Sequence, residues 1–227
     1  MYDIVFISYN ESNADKNYAV LKSRFPMAKR VHGVKGIHQA HIKAAKKCFT
    51  KMFWVVDADA IILDDFRFDY EVDDYNLETV HVWRSKNPVN NLVYGYGGIK
   101  LLPRKLVINM DLSKADMTTS ISPYFIAVEE VANITAFNTD EFSTWRSAFR
   151  ECCKLASKII DRQNNEETDN RLHVWQTVGK DQPFGKYALS GAKAGTAYGT
   201  ANRGNLEALK KINDFDWLKE QFDAAGI

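Results

Sequence analysis

The chain has 227 residues, 45% hydrophobic and 26% charged, with a formal net charge of +1. This composition excludes disordered, collagenous and disulfide-dense classes. No window holds the ~20 apolar residues that span a bilayer, so no membrane partner is expected. Residues 1–7 enter a strand-like run without a basic leader, which predicts a cytoplasmic protein.

The near-neutral total hides an asymmetry. Residues 1–52 carry ten Lys/Arg against three Asp/Glu, and residues 53–82 carry one Arg against nine acids. A general nucleic-acid binder would be basic overall, so that class is disfavoured. A basic block followed by an acidic one suits either a site where an anionic ligand meets a cation, or plain solvated helix faces. The three cysteines, Cys48, Cys152 and Cys153, form no CxxC pair and read as buried, reduced thiols.

In chain order, the apolar run 3–8 reads as a buried parallel strand. A polar turn follows, in which Ser12 or Asn13 caps a helix carrying Tyr18, Leu21 and Phe25 and closed by Pro26. A second short strand spans 29–34. Gly36 opens a second helix running to about Met52, with the stripe Ile37, Ala40, Ala44, Cys48 and Met52. Residues 53–56 are a buried strand, 64–78 an acidic, aromatic loop, and 79–83 another strand. Strand and helix alternate, so the expected class is α/β, with a doubly wound, mixed and mostly parallel sheet flanked by helices and ligands beyond the strands' carboxyl ends. Three glycines follow in 92–102. The clearest helix carries Phe142, Trp145, Phe149, Cys152, Ala156 and Ile159, with Asn138 and Glu141 as its capping box. Residues 161–170 read as a surface loop, 185–204 as a Gly-rich stretch, and a short amphipathic helix ends the chain near Trp217, Leu218 and Phe222. One domain over 1–227 is expected.

The strongest chemical signal is Asp57-Ala58-Asp59 at the end of the 53–56 strand. Two carboxylates two residues apart on an extended chain lie about 7 Å apart and point the same way. With apolar residues on both sides they are partly desolvated, which raises one pKa unless a cation neutralises them. Mg²⁺ or Mn²⁺, which keep positions open for phosphate oxygens, fit that need. Two exposed aspartates in a turn are the bland alternative. His38 and His41 at helical spacing are further metal candidates. Lys35, His38 and Lys43 are candidates to offset phosphate charge. Trp83, Tyr94 and Tyr96 suit either a stacking platform or the core.

Ile7-Ser8-Tyr9-Asn10-Glu11, with Asp57-Ala58-Asp59 about fifty residues on, resembles the family 2-like GT-A glycosyltransferases. Gly97-Gly98 is similar to that family's acceptor-side glycine turn, and Thr139-Asp140-Glu141-Phe142 to its ED-type segment. The resemblance covers roughly residues 1–150. It implies a nucleotide-sugar half over about 1–82 and an acceptor half over about 83–227. Ser8, Tyr9, Asp57, Ala58 and Asp59 would bind the nucleotide-sugar, and Asp57 and Asp59 the Mn²⁺ or Mg²⁺. Gly97 and Gly98 would meet the acceptor. Asp140 would be the catalytic base, with Asp116 and Asp181 in reserve and no base needed if configuration is retained, and His173, like a late histidine in some of these enzymes, would be a third ligand to the ion. A processive QxxRW signature is absent.

More narrowly, residues 80–88, 116–121, 149–152, 177–181 and 183–185 resemble small phage-encoded glycosyltransferases. That resemblance implies a UDP-sugar donor, an acceptor hydroxyl on 5-hydroxymethylated pyrimidine in phage DNA, and action in the host cytoplasm. A cell-surface glycan or a small molecule is the alternative acceptor. A nucleotidyltransferase would want a basic glycine-rich loop where Tyr9-Asn10-Glu11 stands. A non-catalytic binding protein on the same fold remains the reading from another class.

Overall fold

Along Asp3–Ser8 (β1), Ile4 and Phe6 face one way and Val5 the other, and all three are buried. A strand apolar on both faces needs cover on both sides. The computed structural model supplies it, and describes residues 1–95, 97–159 and 164–227. Its contacts divide the chain into two units. The first holds 1–86, 93–113 and 117–136, and the second 87–92, 114–116 and 137–227.

In the first unit, β1 leads through Ala14–Arg24 (α1) to Lys29–His32 (β2), then through Ile37–Lys46 (α2) to Met52–Asp57 (β3). Ala60–Ile62 (β4), Val80–Lys86 (β5), Val93–Tyr94 (β6) and Ile99–Pro103 (β7) follow. Two short helices, Arg104–Ile108 (α3) and Met117–Ile121 (α4), precede the eleven-residue Phe125–Thr135 (β8). One sheet takes them all in the order β2-β1-β3-β7-β5-β8-β4, with β6 on β5. The pairings set β1, β2, β3, β5 and β8 in one direction and β4, β6 and β7 in the other. The expected α/β class, with a mixed, mostly parallel sheet flanked by helices, is met.

The alternation along the strands sorts the core into two layers. Phe6, Trp54 and Val56 pack with Leu21 of α1 and with Phe66 and Phe68 from the loop after β4. Val5, Phe53 and Val55 pack with Ala44 and Ala45 of α2, Val107 of α3, and Met117 and Ile121 of α4. Helix α2 stops at Lys46, short of the expected Met52. The Asp3 carboxylate takes the backbone N–H groups of Phe49 (2.6 Å) and Thr50 (3.0 Å) and pairs with Lys29 (2.6 Å). Met52 then begins β3 opposite Pro103.

The second unit is helical: Glu141–Ser157 (α5), Asn165–Thr177 (α6), Gly185–Ala201 (α7), Leu206–Lys210 (α8) and Phe215–Ala224 (α9). The cap of α5 is Asp140, not Asn138. Its carboxylate accepts the Ser143 N–H at 2.7 Å, while the Asn138 amide reaches the Pro183 carbonyl. Residues 161–163 lie outside the described residues. Asn164 caps α6, so 165–170 is helix rather than the expected loop. The Gly-rich stretch 185–204 is largely α7. Its glycines fall every fourth residue, Gly191, Gly195 and Gly199, and let that helix lie against the α5 backbone. A Cβ at Gly195 would stand 2.1 Å from the Phe149 carbonyl oxygen. The expected C-terminal helix is α9. All three cysteines are free and buried, and burial pushes the Cys48 and Cys153 thiols up to about 12. Among the described residues no helix is long and apolar enough to cross a membrane.

An exposed helical glycine replaced by alanine gains up to about 1 kcal/mol. At Gly195 the sign reverses, because the new methyl meets backbone that cannot swing aside. Gly195→Ala is expected to cost about 1–3 kcal/mol in urea unfolding. An unchanged midpoint would mean that α5 and α7 are not in this close contact.

Candidate functional site

Three parallel strand ends meet at one edge of the sheet. Ser8 at the end of β1 lies opposite His32 at the end of β2, and Ile7 lies opposite Asp57 at the end of β3. The chain runs from β1 to β2 on one side, then crosses to β3 on the other. Such a reversal of strand order opens a crevice beyond the carboxyl ends, where α/β sheets bind ligands. The turn Tyr9–Asn13 leaves one flank of it and Ala58-Asp59 the other.

The two aspartates do not share an extended strand. Asp57 is the last residue of β3, and Ala58-Asp59 form the turn into β4. That turn is fixed at both carbonyls: Asn17 of α1 donates to the Ala58 oxygen at 2.8 Å, and the Ala136 N–H to the Asp59 oxygen at 2.7 Å.

The surroundings of the two carboxylates differ sharply. Oδ2 of Asp57 accepts from Lys100 Nζ at 2.5 Å and from the Gly98 N–H at 3.1 Å, while the Asp57 N–H donates to the Gly98 carbonyl at 2.8 Å. Burial pushes the Asp57 carboxyl up, but the Lys100 charge outweighs it and holds the group below the ordinary range. Asp59 receives no such partner: among the described residues no lysine or arginine pairs with it. Burial, then the neighbouring Asp57 and Glu11 charges, push its carboxyl up to about 7. Of the two charges, one is neutralised from within the fold and the other is not.

Lys100 was not a sequence candidate, although its signal is visible. It is the single charge in the apolar run Ile99-Lys100-Leu101-Leu102, on a strand lying between β3 and β5. Its side chain is only 8% exposed. A lysine so placed needs an acid beside it. Asn133 was missed too. It is fully buried, and its amide donates to the Ser85 (2.9 Å) and Thr135 (3.2 Å) hydroxyls.

The remaining predicted residues fall as follows. Gly98, at φ +88°, packs against Asn133, whose amide nitrogen would lie 2.3 Å from any added Cβ. Gly97, at φ +138°, lies beside Asp57: a Cβ there would stand 3.6 Å from Oδ2. Both glycines therefore build the seat of Asp57. The Ser8 side chain is buried, with its hydroxyl taken by Arg30 Nε (2.9 Å) and His32 Nδ1 (3.0 Å). The Tyr9 N–H donates to Glu11 at 2.7 Å. His38 meets the Ser120 hydroxyl at 3.0 Å, and the buried His41 holds the Ile37 carbonyl through Nδ1. Burial, then the Lys100 charge, lowers His41 to about 4, so it is neutral. Trp83 and Tyr94 are buried core residues, and Tyr96 lies outside the described residues. Asp140, Asp116, Asp181 and His173 belong to the second unit, where Asp140 caps α5 and Asp116 pairs with Lys154 at 2.9 Å.

Among the described residues, no three His, Cys, Asp or Glu side chains gather into a metal cage. A cation here would have Asp59 and the outer oxygen of Asp57. That set suits an ion which takes one or two carboxylates and completes its shell with water and phosphate oxygens. The unneutralised Asp59 is the observation that fits it.

No protein-family model and no curated protein matches the sequence. Among solved structures, the mannosyltransferase PcManGT from Pyrobaculum calidifontis, in complex with GDP-Man and Mn²⁺, is similar at 12% identity. The match covers 100% of this chain and 88% of that one, with a TM-score of 0.43.

The raised Asp59 pKa has a consequence for stability. The folded chain holds this proton more tightly than the unfolded one, so the group's contribution is most favourable below 3.8. It is lost progressively as pH rises towards about 7. Asp59→Asn removes that penalty. In metal-free buffer at about pH 8 the variant is expected to melt about 2 °C or more above wild type, and the gap to close by about pH 4. A lower melting temperature at pH 8 would show that the carboxylate is not strained there.

Proposed function

We propose that this chain is a glycosyltransferase that takes its sugar from a nucleotide-sugar at the edge formed by β1 and β3. The observation that carries the reading is the asymmetric aspartate pair. Asp57 is locked at the end of β3 by Lys100 and Gly98, and Asp59 stands beside it in a braced turn with its charge unmatched. Two features of the sequence support it. The Ser8-Tyr9-Asn10-Glu11 segment and the Asp57-Ala58-Asp59 segment, which together resemble the GT-A family, end adjacent parallel strands at the switch in strand order.

In this reading Asp59 and the free oxygen of Asp57 hold Mn²⁺ or Mg²⁺. When bound, the ion offsets charge on the departing nucleoside diphosphate. The protein's own part is orientation. Lys100 and the Gly98 N–H fix the Asp57 carboxylate, and Asn17 and Ala136 fix the turn, so little side-chain freedom is lost when a ligand arrives. Gly97 and Gly98 pack against Asp57 and Asn133, so their proposed place on the acceptor side is supported by the family resemblance.

The finer reading is a UDP-sugar donor and a hydroxymethylated pyrimidine of phage DNA as acceptor. It is supported by the sequence stretches that resemble phage glycosyltransferases. Mass spectrometry of hydroxymethylcytosine-containing DNA after incubation tests it, with a hexose-sized mass gain as the supporting result.

The class of reaction is tested by melting shifts with a panel of nucleotide-sugars, with and without Mn²⁺. A ligand at 100 times its Kd stabilises the fold by about 2.7 kcal/mol. We expect a shift with at least one nucleotide-sugar that disappears in EDTA and in Asp59→Ala. A shift with nucleoside triphosphates alone would favour nucleotidyl transfer, and no shift at all a non-catalytic protein.

A further inference from the structure

We infer that Lys100 is a resident counter-cation of Asp57 and sets how the aspartate pair takes a divalent ion: weakly by itself, and firmly only together with a ligand's own diphosphate oxygens. This rests on the reading of the pair as a cation site.

The geometry leaves Oδ2 of Asp57 no room for a metal. The oxygen already accepts two donors, Lys100 Nζ at 2.5 Å and the Gly98 N–H at 3.1 Å. Neither donor can withdraw cheaply. Lys100 sits on an interior strand with its side chain 8% exposed. Moving it would leave a buried ammonium without a partner, one of the costlier events in a protein interior. Gly98 is held at φ +88° against the fully buried Asn133. A carboxylate shared in this way offers a metal one oxygen rather than two.

Charge points the same way. Asp57, Asp59 and the neighbouring Glu11 present three negative charges, and the Lys100 ammonium in contact with Asp57 offsets one of them. At distances of a few ångströms the ammonium also repels a doubly charged ion directly. Mg²⁺ and Mn²⁺ prefer about six oxygen ligands. Asp59 and one Asp57 oxygen fall short of that, and water alone adds no charge to compensate. A diphosphate adds both oxygens and negative charge, so the metal and the diphosphate are each other's condition for binding. A purely structural Lys100 that only ties β7 to β3 would affect stability and leave metal affinity alone.

The test measures Mn²⁺ binding to the full chain at about pH 8 from the free-ion electron paramagnetic resonance signal, with no nucleotide-sugar present. Lys100→Met keeps the aliphatic stem and removes the charge. It is expected to tighten Mn²⁺ binding by about tenfold or more, and Asp59→Asn in that background to abolish it. Lys100→Gln serves as a second uncharged variant should the first fail to fold. Wild-type protein that keeps Mn²⁺ through gel filtration without any added ligand would overturn the inference whatever the variants do. Uncharged variants no tighter than wild type would overturn it too, as would Mn²⁺ binding that survives Asp59→Asn, or no Mn²⁺ binding in any form. Tighter binding in Lys100→Met, in a protein that no nucleotide-sugar stabilises, would uphold the inference and sink the glycosyltransferase reading instead.

Discussion

One ion pair, between a buried lysine and a half-buried aspartate, organises the candidate site. Lys100 on β7 reaches Asp57 at the end of the neighbouring β3, and that contact makes two otherwise similar aspartates unlike each other. A carboxylate that gains a cation and a backbone N–H falls in pKa, whereas one left beside it gains a like charge and loses solvent. Asp57 thereby becomes structure and Asp59 becomes chemistry. The pair also needs β7 to run antiparallel between β3 and β5, since that places Lys100 deep enough to be held and near enough to touch.

The rest of the first unit serves this arrangement. Asp57 is seated on the Gly97-Gly98 turn, and Gly98 is fitted to Asn133, which is tied to the Ser85 and Thr135 hydroxyls across β5 and β8. Asn17 and Ala136 hold the two carbonyls of the turn from α1 and from the end of β8.

The sequence made some of this legible and hid the rest for physical reasons. The strands β1 and β3 were plain because residues buried on both faces give unbroken apolar runs. The helix α5 was plain because Phe142, Trp145, Phe149, Cys152 and Ala156 recur at helical spacing. The strand β8 was not seen. Over its first seven residues, among them Glu129 and Glu130, it is mostly exposed or half-buried, so neither alternation nor an apolar run marks it. Helix α7 was legible only as a Gly-rich stretch because Gly191, Gly195 and Gly199 weigh against helix locally. Only the nearness of α5 shows why they are there. The length of α2 was overestimated because its apolar stripe continues through Cys48 to Met52, while the Asp3 contacts that replace the next turn come from far away in sequence. At the site, the acids were visible as a motif, but their inequality depends on a lysine more than forty residues on.

Asp57 has a lysine in contact with it, and among the described residues Asp59 has none. The most direct measurement is a carbon-detected NMR pH titration of the aspartate side-chain carboxyls in the metal-free chain. The account predicts that the Asp59 resonance titrates with a midpoint of about 7 and the Asp57 resonance below the ordinary carboxylate range. Two aspartates titrating together near the ordinary value of 3.8 would contradict it.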